Sequence, residues 1–167
     1  MFLKKSNANE ILGVKDYTKE KHLIVPNGIT SIRNDTFWNC SSLKSVTIPN
    51  CITHIADWAF YYCTSLESIT IPDSVRHIDN RAFWNCKSLK SITIPDSVRH
   101  IGNLVFYNCT SLKSITIPDS VKHIDDWVFL KCDNLKSISI SRKTNVSKYT
   151  FANCPAEIIW REDKEDV

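Results

Sequence analysis

The feature that most constrains the fold of this chain is a 23-residue unit that occurs five times in succession over residues 25–139, with a shortened sixth copy after it. The third copy, residues 71–93, and the fourth, residues 94–116, are identical at 18 of 23 positions. A repeat of this length is typical of solenoids, in which each unit buries its apolar side only against the neighbouring units. We therefore predict one elongated domain with a continuous core.

Each unit is predicted to contain a short strand, a turn and a short helix. Residues 89–94 alternate between apolar and polar side chains from Ser91 onward, which is typical of a strand with one buried face. Pro95 ends that strand, and the Asp and Ser that follow it favour a turn. In the third unit, residues 79–86 are predicted to form a helical turn that begins at Asp79 as its N-cap.

Repeated apolar positions predict columns of like side chains in the core. We expect one Phe from each unit to form a spine: Phe37, Phe60, Phe83, Phe106, Phe129 and Phe151. One Cys from each unit forms a second column: Cys40, Cys63, Cys86, Cys109, Cys132 and Cys154. Parallel side chains in a ladder point the same way, so we predict buried free thiols instead of disulfides. Free thiols fit a reducing compartment.

The chain divides into four segments of one structural domain. They are an N-terminal cap (1–24), five leucine-rich repeats (25–139), a degenerate sixth repeat with a C-terminal cap (140–160), and a charged tail (161–167). A short helix is expected around Ile11, Leu12 and Val14. The first ten residues lack the apolar stretch of a secretory signal, so we expect a cytoplasmic protein. The alternative is the cell surface or secretion, if the native protein carries a signal outside this sequence.

The pattern of one unit, L-x-x-I-x-I-P-x-S-V-x-x-I-x-x-x-A-F-x-x-C, resembles the BspA-type, or Treponema pallidum-type, leucine-rich repeat over residues 22–160. The resemblance implies an α/β repeat solenoid. In it, a right-handed arc has a parallel β-sheet on its concave side and short helical or extended segments on its convex side. The resemblance also implies adhesion or protein–protein contact, since members are often surface proteins, and it carries over no catalytic motif.

The outward side of the strands is predicted to bind a partner. The residues predicted for this concave surface are Ser68, Thr70, Lys90, Ser91, Thr93, Lys113, Ser114, Thr116 and Lys136. Rows of hydroxyl and ammonium groups suit an acidic or extended polar partner, and such arcs usually bind through their concave side. The alternative interpretation is a solvated strand face that was copied with the repeat.

An aromatic stripe on the convex side is the alternative partner-binding surface. Its residues are Trp38, Trp58, Tyr61, Trp84, Tyr107 and Trp127. If these rings are exposed, they form a surface for a protein or a carbohydrate. The competing interpretation is that the rings pack partly against the next repeat.

Histidine recurs at the same spacing, at His54, His77, His100 and His123. Adjacent imidazoles about 5 Å apart could share Zn²⁺ or sense pH. No Cys or carboxylate in register completes a tetrahedral ligand set, so we predict neither a metal site nor a cofactor, and we favour an incidental or structural placement.

Composition and motifs argue against catalysis and against nucleic acid as a partner. The chain has three glycines, too few for a P-loop or a dinucleotide fingerprint, and its net charge is only +3. No segment approaches the roughly 20 apolar residues of a membrane span. We predict a non-enzymatic leucine-rich-repeat scaffold that mediates protein–protein interaction. The alternatives are a surface adhesin or glycan-binding module, and a metal- or pH-responsive module that uses the histidines. The identity of the partner and the oligomeric state stay open.

Overall fold

The computed structural model describes residues 19–162, in which the backbone forms eleven short strands. Six of these strands have three to five residues, and the other five have two. The strands are β1 (His22–Ile24), β2 (Ser45–Thr47), β3 (His54–Ile55), β4 (Ser68–Thr70), β5 (His77–Ile78), β6 (His100–Ile101), β7 (Ser114–Thr116), β8 (His123–Ile124), β9 (Ser137–Ser141), β10 (Asn145–Val146) and β11 (Glu157–Arg161).

Each coil of the solenoid has three sides, and two of them are β-ladders. The longer strands form two parallel sheets, β1-β2-β4 and β7-β9-β11, and the two-residue strands form one parallel sheet in the order β10-β8-β6-β5-β3. The register follows the repeat, because Ser45 lies opposite Ser68 and His77 lies opposite His100. We call the outward side of the longer strands the strand face, and we call the third side, made of turns, the turn side.

The turn side contains no helix within residues 19–162, so the structure does not support the predicted convex helices. Each full unit instead has two non-glycine residues in the left-handed region, as with Arg81 (φ 56°) and Asn85 (φ 61°) in the third unit. Two left-handed residues four positions apart interrupt the run of right-handed dihedrals that an α-helix requires. The fold is a parallel-strand solenoid without the α component of the predicted class.

Hydrogen bonds between coils explain why the turns replace a helix. The N–H of Phe83 donates to the carbonyl of Val105 in the next coil (3.0 Å), and the N–H of Arg81 donates to that of Asn103 (2.9 Å). The residues between them bond within the coil, as when the N–H of Trp84 donates to the carbonyl of Arg81 (3.1 Å). Every second N–H therefore joins two coils. In a helix these donors would bond only within their own segment.

The predicted phenylalanine spine is confirmed. Neighbouring rings stack with centroid separations from 5.0 Å for Phe37 and Phe60 to 6.2 Å for Phe129 and Phe151. The predicted burial of the thiols is confirmed for five members of the column: Cys40, Cys63, Cys86, Cys109 and Cys132. The buried thiol of Cys86 donates a hydrogen bond to the carbonyl of Phe60 (3.2 Å), and the other central units repeat this bond. Each of these S–H groups is therefore satisfied by the backbone of the preceding coil.

Strands at both ends continue the ladders. β1 pairs with β2, and β11 pairs with β9 through five positions, from Glu157 opposite Ser137 to Arg161 opposite Ser141. The helix expected around Ile11 lies outside the described residues. Among residues 19–162, no helix is long and apolar enough to cross a bilayer.

Leu104 provides a direct test of turn against helix, because it has φ 57° in the fourth unit. We expect the Leu104→Gly variant to be more stable than the Leu104→Ala variant by about 1 kcal/mol, since a Cβ is unfavourable at positive φ. A helix would give the opposite order by a similar amount, because alanine is the better helix former. Urea denaturation of the two variants measures the difference. Both variants lose the leucine side chain, so their comparison isolates the backbone effect.

Candidate functional site

The strand face displays one Ser and one Thr from each regular strand. β4 and β7 both read Ser-Ile-Thr, and in each the Ile is buried whereas the Ser and the Thr are exposed. The parallel register stacks these side chains into rows, with Ser114 opposite Ser137 and Thr116 opposite Ser139. The structure therefore places the predicted hydroxyl residues on one face: Ser68, Thr70, Ser91, Thr93, Ser114 and Thr116.

Charged side chains precede the Ser row. Glu67 lies between Lys44 and Lys90 and pairs with both, at N–O distances of 3.2 Å and 2.9 Å. The hydrogen bonds from Lys90 and Lys44 lower the pKa of the Glu67 carboxyl. The predicted residues Lys113 and Lys136 are exposed and form no ion pair with another residue in the described part of the chain. The positive charge available to a partner therefore lies mainly at Lys113 and Lys136.

The sheet of the strand face is interrupted in its middle. Residues 91–93 join β4 only through an isolated bridge between Thr70 and Thr93, and they belong to neither three-stranded sheet. An open depression of about 520 Å³ lies over this interruption, lined on its two sides by Thr93 and Thr116 among others. A second depression, of about 490 Å³, lies between β4 and the same segment. The strand face therefore has two open depressions at its centre, on either side of residues 91–93.

The opposite margin of the larger depression is acidic and carries one arginine. Asp96 and Asp119 line it, each next to the Pro that ends the strand. The guanidinium of Arg161 donates to the carbonyl of Ile117 (2.6 Å) and to Ser139 Oγ (2.9 Å), and it also pairs with Asp119. From the sequence alone, Arg161 is grouped with the charged tail. Its contact with Asp119 joins positions 42 residues apart, which no local sequence pattern indicates.

Four of the predicted aromatic residues form one stacked column on the turn side. Ring centroids are 4.4 Å apart for Trp38 and Tyr61, 5.7 Å for Tyr61 and Trp84, and 3.8 Å for Trp84 and Tyr107. Each inner ring has its two faces against its neighbours, so it presents an edge to solvent. Packing between repeats therefore accounts for the inner part of this stripe.

The other two predicted aromatic residues lie in a second column. Trp58 and Trp84 both contact the guanidinium of Arg81, which lies 5.9 Å from each ring centroid. Trp127 stacks on Tyr149 at 5.7 Å, and the two side chains are 39% and 42% exposed. Trp38, at the N-terminal end of the first column, is similarly exposed at 40%, so the accessible aromatic rings lie towards both ends of the solenoid.

The histidines form a ladder on the two-residue strands, and a carboxylate joins it. The rings of His54 and His77 stack at 4.8 Å, and those of His100 and His123 stack at 5.7 Å. Burial, and then the charge of His54, lowers the pKa of His77. Asp125 Oδ1 lies 3.2 Å from His100 Nε2 and 3.0 Å from His123 Nε2. Alignment of the repeat units does not reveal the contact between Asp125 and His100, because the two residues occupy different positions of the unit.

These features define the class of protein. Stacked parallel coils of 23 residues, with short parallel strands on two of their three sides, are those of a leucine-rich-repeat solenoid. The sequence profile of the BspA type leucine rich repeat region matches residues 30–158 in six copies. The chain belongs to this family.

Solved structures of similar fold support the assignment. A leucine-rich repeat protein of T. pallidum has a TM-score of 0.71 at 29% identity, over 86% of this chain and 74% of that protein. A leucine-rich repeat protein of Eubacterium ventriosum has a TM-score of 0.67 at 29% identity, over 80% of this chain and 38% of that protein. The pneumococcal vaccine antigen PcpA has a TM-score of 0.79 at 25% identity, over 91% of this chain and 39% of that protein. The chain thus spans less than half of the latter two.

Family membership supports a general role as a binding scaffold, and the comparisons indicate no catalytic family. No curated protein matches the sequence. The predicted partner-binding residues and the predicted cytoplasmic location stay predictions.

Proposed function

We propose that this chain is a non-enzymatic scaffold that binds an extended segment of a protein partner along its strand face. The observation that carries this proposal is the depression at the interruption of the sheet, between residues 91–96 and 114–119. A partner that binds a perfectly repeated surface could slide along it, whereas a depression at one place favours one position. The BspA-type repeats support a binding role in general.

The side chains around the depression define the chemistry of that partner. Lys113 and Lys136 lie at one margin, the Ser and Thr rows lie in the middle, and Asp96 and Asp119 lie at the other margin. An extended segment that crosses the coils would place acidic side chains beside the lysines. Its backbone amides would meet hydroxyls, which both donate and accept hydrogen bonds. Opposite charges at the two margins would orient the segment.

Peptide selection followed by affinity measurement tests this proposal. Peptides selected from a displayed random library against the wild-type chain are expected to be enriched in Asp and Glu. Their affinity, measured by fluorescence anisotropy, should fall on the order of 10-fold or more in the Lys90→Glu/Lys113→Glu/Lys136→Glu variant, because the charge that attracts them is reversed.

The matched control is Lys87→Glu/Lys131→Glu/Lys148→Glu, which makes the same charge change at exposed lysines that do not line the depression. This control should bind the selected peptides within about twofold of the wild type, since surface charges at a distance are screened. An equal loss in both variants would mean that only net charge matters. Full binding by both, with loss in Trp84→Ala, would place the site on the turn side.

A further inference from the structure

Two histidines and one aspartate from neighbouring coils converge on a single point at the edge of the solenoid. His100 Nε2 and His123 Nε2 lie 3.2 Å and 3.0 Å from Asp125 Oδ1, and the three ligand atoms all lie within 4.8 Å of one another. We propose that His100, His123 and Asp125 form a binding site for a divalent transition-metal ion of the Zn²⁺ class. The site is independent of the strand face and would link the fourth coil to the fifth.

The fold determines where the two imidazoles lie. β6 and β8 pair in parallel with His100 opposite His123, and the two rings are stacked in nearly parallel planes, with 5° between them. The residue after each histidine, Ile101 or Ile124, is fully buried, which fixes the strand that carries the imidazole. The N–H of Asp125 donates to the carbonyl of Ile101 (3.0 Å), so the aspartate backbone is also attached to the preceding coil.

The carboxylate is oriented by a second layer of hydrogen bonds. Asn103 Nδ2 donates to Asp125 Oδ2 at 3.1 Å, and this leaves Oδ1 directed toward the two histidines. Asn103 is itself held by Asn80 Oδ1, which accepts from its backbone N–H (2.9 Å) and from its side chain (3.1 Å). Outer partners of this kind are what a metal-ligating carboxylate requires for a fixed orientation. Asn103 is therefore a positioning residue for this site.

Two of the three spacings between ligand atoms suit a small tetrahedral ion, and the third, between the two imidazole nitrogens, is within 4.8 Å. Zn–N and Zn–O bonds of about 2.0–2.2 Å at tetrahedral angles place neighbouring ligand atoms about 3.3 Å apart. The two N–O distances, 3.2 Å and 3.0 Å, are close to that value. Imidazole ligands favour zinc and similar ions, whereas Ca²⁺ and Mg²⁺ prefer sets composed of oxygen. Three protein ligands would leave the fourth position for water, and all three side chains are partly exposed to solvent.

The other units do not reproduce this arrangement. Asp79 occupies the corresponding position in the third unit, with His54 and His77 as the corresponding histidines, and Gly102 occupies it in the fourth. Within residues 19–162, only the group around Asp125 has three ligand atoms close enough to share one ion. Asp79 and His54 are therefore matched controls that carry the same residue types in the same kind of coil.

Isothermal titration calorimetry with Zn²⁺ tests the proposal. The background protein for all variants is Cys51→Ser/Cys154→Ser, which removes the two thiols that are not fully buried. Serine suits position 51, because the equivalent position in the next three units is Ser74, Ser97 and Ser120. We expect one Zn²⁺ per chain. Asp125→Asn or His123→Ala should weaken binding by about 10–100-fold or more, a range typical for loss of groups that support a bound metal. Asp79→Asn and His54→Ala should change the affinity by less than about twofold.

Thermal unfolding gives an independent measurement. Zn²⁺ should raise the Tm of the background protein and of the Asp79→Asn control, because the ion binds only the folded state, and it should leave the Tm of His123→Ala unchanged. Ca²⁺ and Mg²⁺ should give no shift. If Asp125→Asn does not fold, His123→Ala decides the result. Equal Zn²⁺ affinity in the background and in His123→Ala, or equal losses in the Asp125→Asn and Asp79→Asn variants, would overturn the proposal.

Discussion

Replacing Phe83 by alanine is expected to lower the free energy of unfolding by about 3–5 kcal/mol, within the range for truncating a buried Phe. Its ring is fully buried and stacks on Phe60 at 5.3 Å and on Phe106 at 5.8 Å. In a solenoid each coil is stabilised only by its neighbours, so a cavity in the third unit weakens two interfaces at once. A loss of this size is a large part of the 5–15 kcal/mol that is typical of whole domains.

The same substitution at the end of the spine is the control. Phe151 contacts Phe129 at 6.2 Å on one side and meets the edge of Trp160 at 6.4 Å, and its side chain is only partly buried. We expect Phe151→Ala to cost about half as much as Phe83→Ala or less, since the hydrophobic contribution follows the area buried. Urea denaturation gives both values. Equal costs would show that the stacked spine is not what couples the coils.

Much of the fold could be predicted from the repeat alone. The alternation in the Ser-Ile-Thr segments of β4 and β7 places each Ile inside, and a fixed period of 23 residues sets equivalent residues in register. The period also predicts columns, and the Phe and Cys positions follow from it. These predictions succeed because local pattern and coil-to-coil pairing favour the same structure.

The predicted helix over residues 79–86 is absent because local sequence preference and pairing between coils favour different structures. Residues 79–86 have a good N-cap in Asp79 and acceptable helix formers after it. The backbone of Arg81 instead takes positive φ, so that its N–H reaches the carbonyl of Asn103 in the next coil. The Asn at position 85 indicates a left-handed backbone conformation, because Asn tolerates positive φ. The residue types at positions 81 and 104, Arg and Leu, give no such indication. Pairing between coils therefore overrides local propensity.

The candidate sites are the part that sequence predicts least. Residues 89–94 and 112–117 read identically, yet only the second segment forms a strand of a sheet and the ladder is interrupted between the two, so no local signal marks the depression. Asp125 contacts His100, 25 residues earlier in the chain. Residues at equivalent positions of neighbouring units are 23 residues apart, so alignment of the units does not reveal this contact. A repeat predicts what its units share. Sites that depend on a difference between units require the three-dimensional structure.

Raising the pH from 8 to 10 is expected to remove several kcal/mol of stability, because the buried thiols resist ionisation. Burial raises the pKa of Cys40 to about 11 and that of Cys132 to about 12. Burial also raises the pKa values of Cys63, Cys86 and Cys109 well above their ordinary value of 9.0.

The sign follows from proton linkage. Above pH 9 the unfolded chain releases thiol protons that the folded chain keeps, so the unfolded state binds fewer protons and the free energy of unfolding falls. The stabilisation is complete below the unfolded pKa and declines as the pH rises toward the folded values. One pH unit above the unfolded value, each thiol that stays protonated in the folded chain corresponds to a loss of about 1 kcal/mol, so the five thiols together account for several kcal/mol.

Urea denaturation between pH 7 and pH 10, under reducing conditions, measures this dependence. The matched variant is Cys86→Ala/Cys109→Ala, which removes the two most central thiols of the column. It should be less stable than the wild type at pH 7, because packing is lost. Between pH 9 and pH 10 its stability should fall less steeply, by about 2 kcal/mol over that pH unit, since up to two fewer protons are released on unfolding. Parallel curves for the two proteins would mean that the column thiols ionise as readily in the folded chain as in the unfolded one, and that lysine and tyrosine ionisation, which both proteins share, accounts for any alkaline loss.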